Sequence, residues 1–311
     1  MAKITVIASN NMFGHYADVM IRHAYGEDIH SVFPRKFDIK NMEDYIDPQS
    51  HIIIIVGHAF FANQLGYLRE RLQELHFDET IPFTEIIHIA SFGAEVDIPD
   101  LKSYVNDSSI TKTLSEVMAD GTDLLDPVEF DSGMKKIIQA LQEYHEYSFM
   151  PHPNSLPLNL KHLSDIYKKN VYKAVTLDKK GVHYDPDLAT SLYGNMQEYV
   201  NDKLDKVEAK VLNGTVICLT YAEEHHNELA NRIIKAYNDA GYLKVIVLIV
   251  KQTRGDDMFH IRVSQNAGLN AEEIAEQIND GRGNEHAATV FLAKPRGLLI
   301  EMVIKNLSTY L

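Results

Sequence analysis

Unbroken apolar runs at residues 4–8, 51–56 and 85–90, rich in Ile and Val, are separated by segments at 16–23 and 63–75 whose apolar positions recur at helical spacing. A strand buried on both faces has no reason to alternate, so such runs between helices predict a parallel sheet covered on both sides. Helical patterns follow at 110–118 and 132–147. The segment 150–157, MPHPNSLP, holds three prolines and cannot continue a helix, because proline lacks the amide donor. From 160 to 211 the pattern predicts connecting helices interrupted by a loop at 178–186, and 197–212 carries the mixed charges of a solvated helix. Beyond Asn213-Gly214 come a strand at 243–250, a second strand that ends with 259–264, and a helix at 271–278. These elements predict a two-domain α/β protein: a parallel-sheet domain at 1–149, a helical linker at 150–212 and a smaller α/β domain at 213–311, with a cleft between the domains.

Composition narrows the function. The 311 residues are 45% hydrophobic and 24% charged, ordinary values for a globular protein of about two domains. A formal net charge of −14 argues against a broad electrostatic grip on long duplex DNA or an anionic membrane. The single cysteine, Cys218, lies in the apolar run Thr215-Val216-Ile217-Cys218-Leu219 and reads as core. With one cysteine there is neither a disulfide framework nor a cysteine zinc site within a chain. No apolar run reaches the roughly 20 residues that span a bilayer, and the N-terminus opens directly on a strand, so the expected location is the cytoplasm.

Chemistry in an open parallel sheet sits beyond the carboxyl ends of its strands. Here those positions are Ser9-Asn10-Asn11-Met12-Phe13-Gly14, Gly57-His58 and Ala90-Ser91-Phe92. In the second domain, Arg262 and Ser264 close a strand, and Gly281-Arg282-Gly283-Asn284-Glu285-His286-Ala287-Ala288-Thr289 forms a glycine-rich stretch after a helix. Glycines there leave amides uncovered and let a ligand approach the backbone closely. This order resembles the C-terminal substrate-binding domain of the DHH phosphoesterases, in which a strand with an Arg-Ser pair precedes a Gly-Gly-Gly-His-x-x-Ala-Ala-Gly loop. The resemblance implies an oligoribonuclease-like architecture and extends to the strand ends of the first domain, where that family carries a His-x-Asp-x-Asp-Gly motif, a lone Asp and Asp-His-His.

Aligned on that pattern, Ser9 stands for the His, Asn11 and Phe13 for the two Asp, Gly57 for the lone Asp, and Ala90, Ser91 and Phe92 for Asp-His-His; only Gly14 matches. Two divalent ions about 3.5–4 Å apart need several carboxylates to hold them, and these positions carry none. The favoured expectation is therefore a degenerate phosphoesterase with no catalytic residues and no metal. It would bind a small phosphorylated ligand or short oligonucleotide through Arg262, Ser264, Gly281, Arg282, Gly283, Asn284 and His286, or serve as an interaction subunit for a protein partner. The alternative is a working metal-dependent phosphoesterase with Mn or Zn on relocated ligands, His15, His58 and His88 with Asp18, since imidazole suits transition metals. Arg296 and the pair His225-His226, the latter read as the exposed start of a helix, complete the candidates.

Overall fold

The computed structural model describes residues 3–26, 28–35, 37–60, 62–77, 85–91, 93–94, 96–98, 101–106, 108–178, 181–253, 256–265, 267–292 and 299–307. The chain divides into two compact units, Met1–Tyr193 and Gly194–Leu311.

The first unit is built on β1 (Ile4–Ala8), α1 (Met12–Tyr25), β2 (Ile29–Val32), β3 (Ile52–Val56), α2 (Leu65–Phe77), β4 (Glu85–Ala90), β5 (Leu101–Val105), α3 (Ile110–Asp120), α4 (Ser132–Glu146) and α5 (Leu156–Tyr167). The strands form one sheet in the order β2-β1-β3-β4-β5, every neighbouring pair parallel. Ile7, Ile53, Ile55 and Ile86 face Leu68 and Leu72 of α2 on one side, while α1 and α3 pack on the other. Burial on both faces is why β1, β3 and β4 are largely apolar, with Thr5, Glu85 and His88 the polar exceptions. Three helices of this unit carry side-chain caps: Asn11, Ser109 and Asp131 accept from the Gly14, Lys112 and Met134 amides at the starts of α1, α3 and α4. After Pro153 the chain continues in this unit as α5, with Pro157 in its first turn, and the Tyr16 hydroxyl donates to the Leu160 carbonyl at 3.0 Å. Residues 150–193, expected as linker, thus belong to the first unit. A small hairpin of β6 (Thr176–Asp178) and β7 (Gly181–His183) precedes α6 (Pro186–Leu204), within which the boundary between units falls.

The second unit holds β8 (Glu208–Leu212), β9 (Thr215–Tyr221), α7 (His226–Asp239), β10 (Lys244–Lys251), β11 (Asp257–Val263), α8 (Ala271–Asn279), β12 (Arg282–Gly283), β13 (Ala287–Leu292) and α9 (Leu299–Leu307). Its sheet runs β12-β13-β11-β10-β9-β8, with only β9 and β10 parallel. Ile217, Leu248, Phe259, Ile261, Ala288 and Val290 line the core beneath α8 and α9. The solvated helix expected at 197–212 stops at Leu204, because Asn213 (φ 47°) and Gly214 (φ 79°) form the tight turn that folds 208–212 back as a strand. Likewise, 281–289 is a hairpin, not an open loop. No helix among the described residues is long and apolar enough to cross a membrane.

Candidate functional site

At the strand ends of the first sheet, backbone and small side chains close on one another. The Ser9 amide donates to the Val56 carbonyl (2.9 Å), and its hydroxyl donates to Asn11 Oδ1 (3.0 Å), which also accepts the Gly14 amide (3.0 Å). Both neighbouring glycines are dictated by Ser9. A Cβ on Gly14 would overlap the Ser9 carbonyl oxygen, and one on Gly57, held at φ 75°, would strike Ser9 Oγ and lie 3.0 Å from its Cβ. Phe13 is packed edge-on against His145 at 5.9 Å, Ala90 is buried and Ser91 half-buried. Phe92 and Arg296 lie outside the described residues.

The three histidines are placed by the hydrogen bonds they make. His15 donates from Nε2 to Asn10 Oδ1 (3.0 Å) and accepts at Nδ1 from Ser164 Oγ (2.8 Å). His88, fully buried and packed at a tilt against Phe60, donates from Nε2 to the His58 carbonyl (2.8 Å) and accepts at Nδ1 from Ser103 Oγ (2.9 Å). Burial holds both imidazoles neutral, with pKa values lowered to about 4. His58 bonds the Ala8 carbonyl, and its Nε2 is buried without a partner. Asp18 is committed to Arg22 (2.9 Å) and Ser31. The relocated set of His15, His58, His88 and Asp18 is therefore not assembled: three of its members are spent on tying elements together. Among the described residues no three His, Cys, Asp or Glu side chains form a group that could hold a metal.

The second sheet arranges its candidates differently. Along β11, burial alternates strictly, so Met258, His260 and Arg262 share the face opposite the core. Register sets Arg282, Thr289 and His260 in one row across β12, β13 and β11, and Arg262 beside Ala287 in the next. Helix α7 packs against β10 and β11 on this sheet, while at the β13 end Phe291 is 53% exposed. The first turn of α7 reaches this face. His226 stacks on His260 with ring centroids 4.0 Å apart and planes 20° from parallel, and Arg262 donates to Asn227 Oδ1 and, at 2.8 Å, to the Ile261 carbonyl. His226 is half-buried where an exposed helix start was expected, because the β9-β10-β11 order brings it over His260. Burial, then neighbouring His226, Arg262 and Lys251, pushes His260 down to about 3, and its Nε2 is buried without a hydrogen bond. His225 precedes α7 in the left-handed conformation (φ 55°) with no side-chain cap hydrogen bond, and the first turn carries one carboxylate, Glu228.

Other expected ligand groups are turned inward. Ser264 is buried, accepting from the Val245 amide (3.0 Å) and donating to the Leu243 carbonyl (2.7 Å), which pins the end of β11 to the start of β10. The Gly281, Gly283 and Asn284 amides donate to the Ala275 carbonyl (3.3 Å), Glu272 Oε1 (3.4 Å) and the Ala287 carbonyl (2.9 Å). They do not form an anion nest. The glycines serve packing instead: a Cβ on Gly281 would lie 2.5 Å from Ala275 Cβ, and one on Gly283 2.6 Å from Ala288 Cβ. Asn284 Oδ1 closes its own turn by accepting the His286 and Ala287 amides (3.0 and 2.9 Å), and exposed His286 pairs with Glu285 at 2.9 Å. Of the expected set, Arg262 and Arg282 come together on one face. His260, His226 and Asn227 join them, and sequence reasoning placed none of the three with the arginines because His226 and Asn227 lie far from them in the chain.

No protein-family model and no curated protein sequence matches the chain. Solved structures do. The pGpG-specific phosphodiesterase PggH from Vibrio cholerae aligns with a TM-score of 0.54 at 13% identity, covering 99% of this chain and 98% of that one. The DHH domain of a member of a ribosomal-protein family aligns at 0.53 and 12% identity, covering 99% and 87%. RecJ of Thermus thermophilus, solved with Mn2+, aligns at 0.53 and 14% identity over 99% of this chain and 52% of RecJ, so the chain spans about half of that protein. The chain has the fold of the DHH phosphoesterases. In the first sheet the strand ends bring Ser9 against Gly14 and Gly57, and in the second Arg262 and His260 lie on the face opposite the core.

Proposed function

We propose that the chain binds a small phosphorylated ligand, such as a short oligonucleotide, without hydrolysing it and without a resident metal, on the sheet face that carries Arg262 and Arg282. One observation carries this reading: two arginines, an uncapped helix start and an unpartnered imidazole nitrogen share a face whose β13 end is open to solvent. Guanidinium groups fork onto phosphate oxygens, and the positive end of a helix adds to the attraction. Hydrolysis in a two-metal site needs charged ligands at the first sheet's strand ends, where the side chains are neutral or already hydrogen-bonded to the protein. The test is calorimetric titration with a 5′-phosphorylated dinucleotide, with inorganic phosphate as a second probe. Arg262→Ala and Arg282→Ala should each weaken binding about ten- to hundredfold, the loss of a charge-assisted bond worth roughly 1.5–3 kcal/mol. Unchanged affinity in both variants would move the site elsewhere.

A metal-dependent phosphoesterase with Mn or Zn is the second reading, favoured by one feature, the unpartnered His58 Nε2 beside the end of β3. Elemental analysis of protein purified with Mn2+ or Zn2+ offered decides between them. Two tightly bound ions per chain, with turnover lost in His58→Ala, support this reading and overturn the first.

A further inference from the structure

Among the described residues, strand β8 forms an edge of the second sheet and pairs only with β9. Its residues Glu208, Ala209, Lys210 and Val211 are exposed, and Val211 keeps 58% of its surface in solvent. An edge of this kind presents a row of unpaired amides and carbonyls that another strand can extend. Its side chains divide between two faces. Glu208, Lys210 and Leu212 point to the side of α9, where Lys210 pairs with Glu301 at 2.8 Å and Leu212 packs on the core, leaving Val207, Ala209 and Val211 on the other.

We infer that β8 is a self-pairing edge, through which two copies of this chain join antiparallel about a two-fold axis at Ala209. That axis sets Glu208 of each copy opposite Lys210 of the other on one face, and Val207 opposite Val211 on the other. Opposite charges directly across a strand pair attract, and β-branched pairs pack. Because paired residues must share a face, the axis can pass only through a residue. On Glu208 it would set the two Glu208 carboxylates against each other; on Lys210, the two ammonium groups. Only the Ala209 register complements both faces, and an interface repeated identically on both partners is what a closed dimer requires. The Lys210–Glu301 pair does not compete strongly, since both side chains are largely exposed and such pairs hold weakly. The site is independent of the proposed ligand face.

Sedimentation equilibrium on the full chain, from about 1 to 100 µM, a span that covers weak protein dimers, tests this pairing. Wild type should show a reversible monomer–dimer equilibrium. Glu208→Lys and Lys210→Glu should each weaken it at least about tenfold, by placing like charges opposite each other. The exchanged pair, Glu208→Lys with Lys210→Glu, should restore it to within about threefold, a rescue that a merely structural disturbance cannot produce. Far-UV circular dichroism confirms that each variant is folded. A wild type that stays monomeric, which is the outcome if Lys210 only guards the edge, overturns the inference. So does a dimer indifferent to all three variants.

Discussion

Gly57→Ala probes whether the strand ends of the first sheet are packed as tightly as their geometry states. Gly57 sits at φ 75°, where an L-residue costs about 1–2 kcal/mol, and its added Cβ would meet Ser9 Oγ, Ser9 Cβ at 3.0 Å and Ile110 Cδ1 at 3.1 Å. Overpacking of that order costs about 1–3 kcal/mol. The sum, about 2–5 kcal/mol, is a large fraction of the stability of a domain. Ser9→Gly alone removes the bond to Asn11, worth about 1 kcal/mol. Combined, the two changes should be less costly than their sum, since Ser9→Gly removes the Ser9 atoms that the added methyl strikes and leaves the φ strain and the Ile110 contact. A coupling of about 1–3 kcal/mol follows. Urea unfolding is read by far-UV circular dichroism, because the chain has no tryptophan. With a slope near 3 kcal/mol/M, the midpoint for Gly57→Ala should fall by roughly 1 M and partly recover in the double variant. Strict additivity, or an innocuous Gly57→Ala, would refute the packing argument and reopen these strand ends to side chains and ligands.

Acid should destabilise the chain through its neutral histidines. The folded His88 pKa of about 4 lies below the ordinary 6.5, so the unfolded chain takes up the proton first; the stabilisation is complete above pH 6.5 and is lost as pH falls toward 4. At pH 5 this amounts to about 2 kcal/mol, and His88→Gln, which keeps hydrogen-bonding groups but does not titrate, should flatten the loss seen between urea midpoints at pH 7 and pH 5. Gly283→Val should unfold the β12–β13 hairpin rather than act on a ligand contact, seen as faster amide exchange at Ala287 and Ala288 in protein with no ligand added. Asn284→Ala should cost about 1–2 kcal/mol in thermal unfolding, because two amides of the tight turn lose their acceptor.

What could be read from residues alone tracks how uniform each environment is. Strands β1 and β4 were legible to the residue because burial on both faces leaves a run dominated by Ile, Val and Ala rather than an alternation. Edge strand β5 was not, since Lys102 and Ser103 are half-buried and break the run. β13 begins with Ala-Ala-Thr, small residues that imitate a loop, and its hairpin with Gly283 exists only because the backbones come within a Cβ's width. Of the candidate residues, Arg262 and Arg282 fall in neighbouring rows of the second sheet, a placement that each residue's own strand position decides. The sequence reading failed for His226 and His260, whose stacking depends on strand order, and for Ser264, whose position at a strand end hides that it faces inward.

The all-parallel first sheet also bears on how the chain folds as it is made. Parallel neighbours cannot be joined by a tight turn, so Ile52–Val56 meets one partner behind it, at Ile4–Ala8, and waits for the other until Glu85–Ala90 has been synthesised. During that interval five consecutive β-branched residues, an aggregation-prone composition, have an unpaired edge. The second sheet has one such delay, between the parallel β9 and β10, and its β8–β9 hairpin closes through a two-residue turn as soon as it emerges. The N-terminal unit, although made first, should therefore depend more on slow synthesis and on chaperones for its yield.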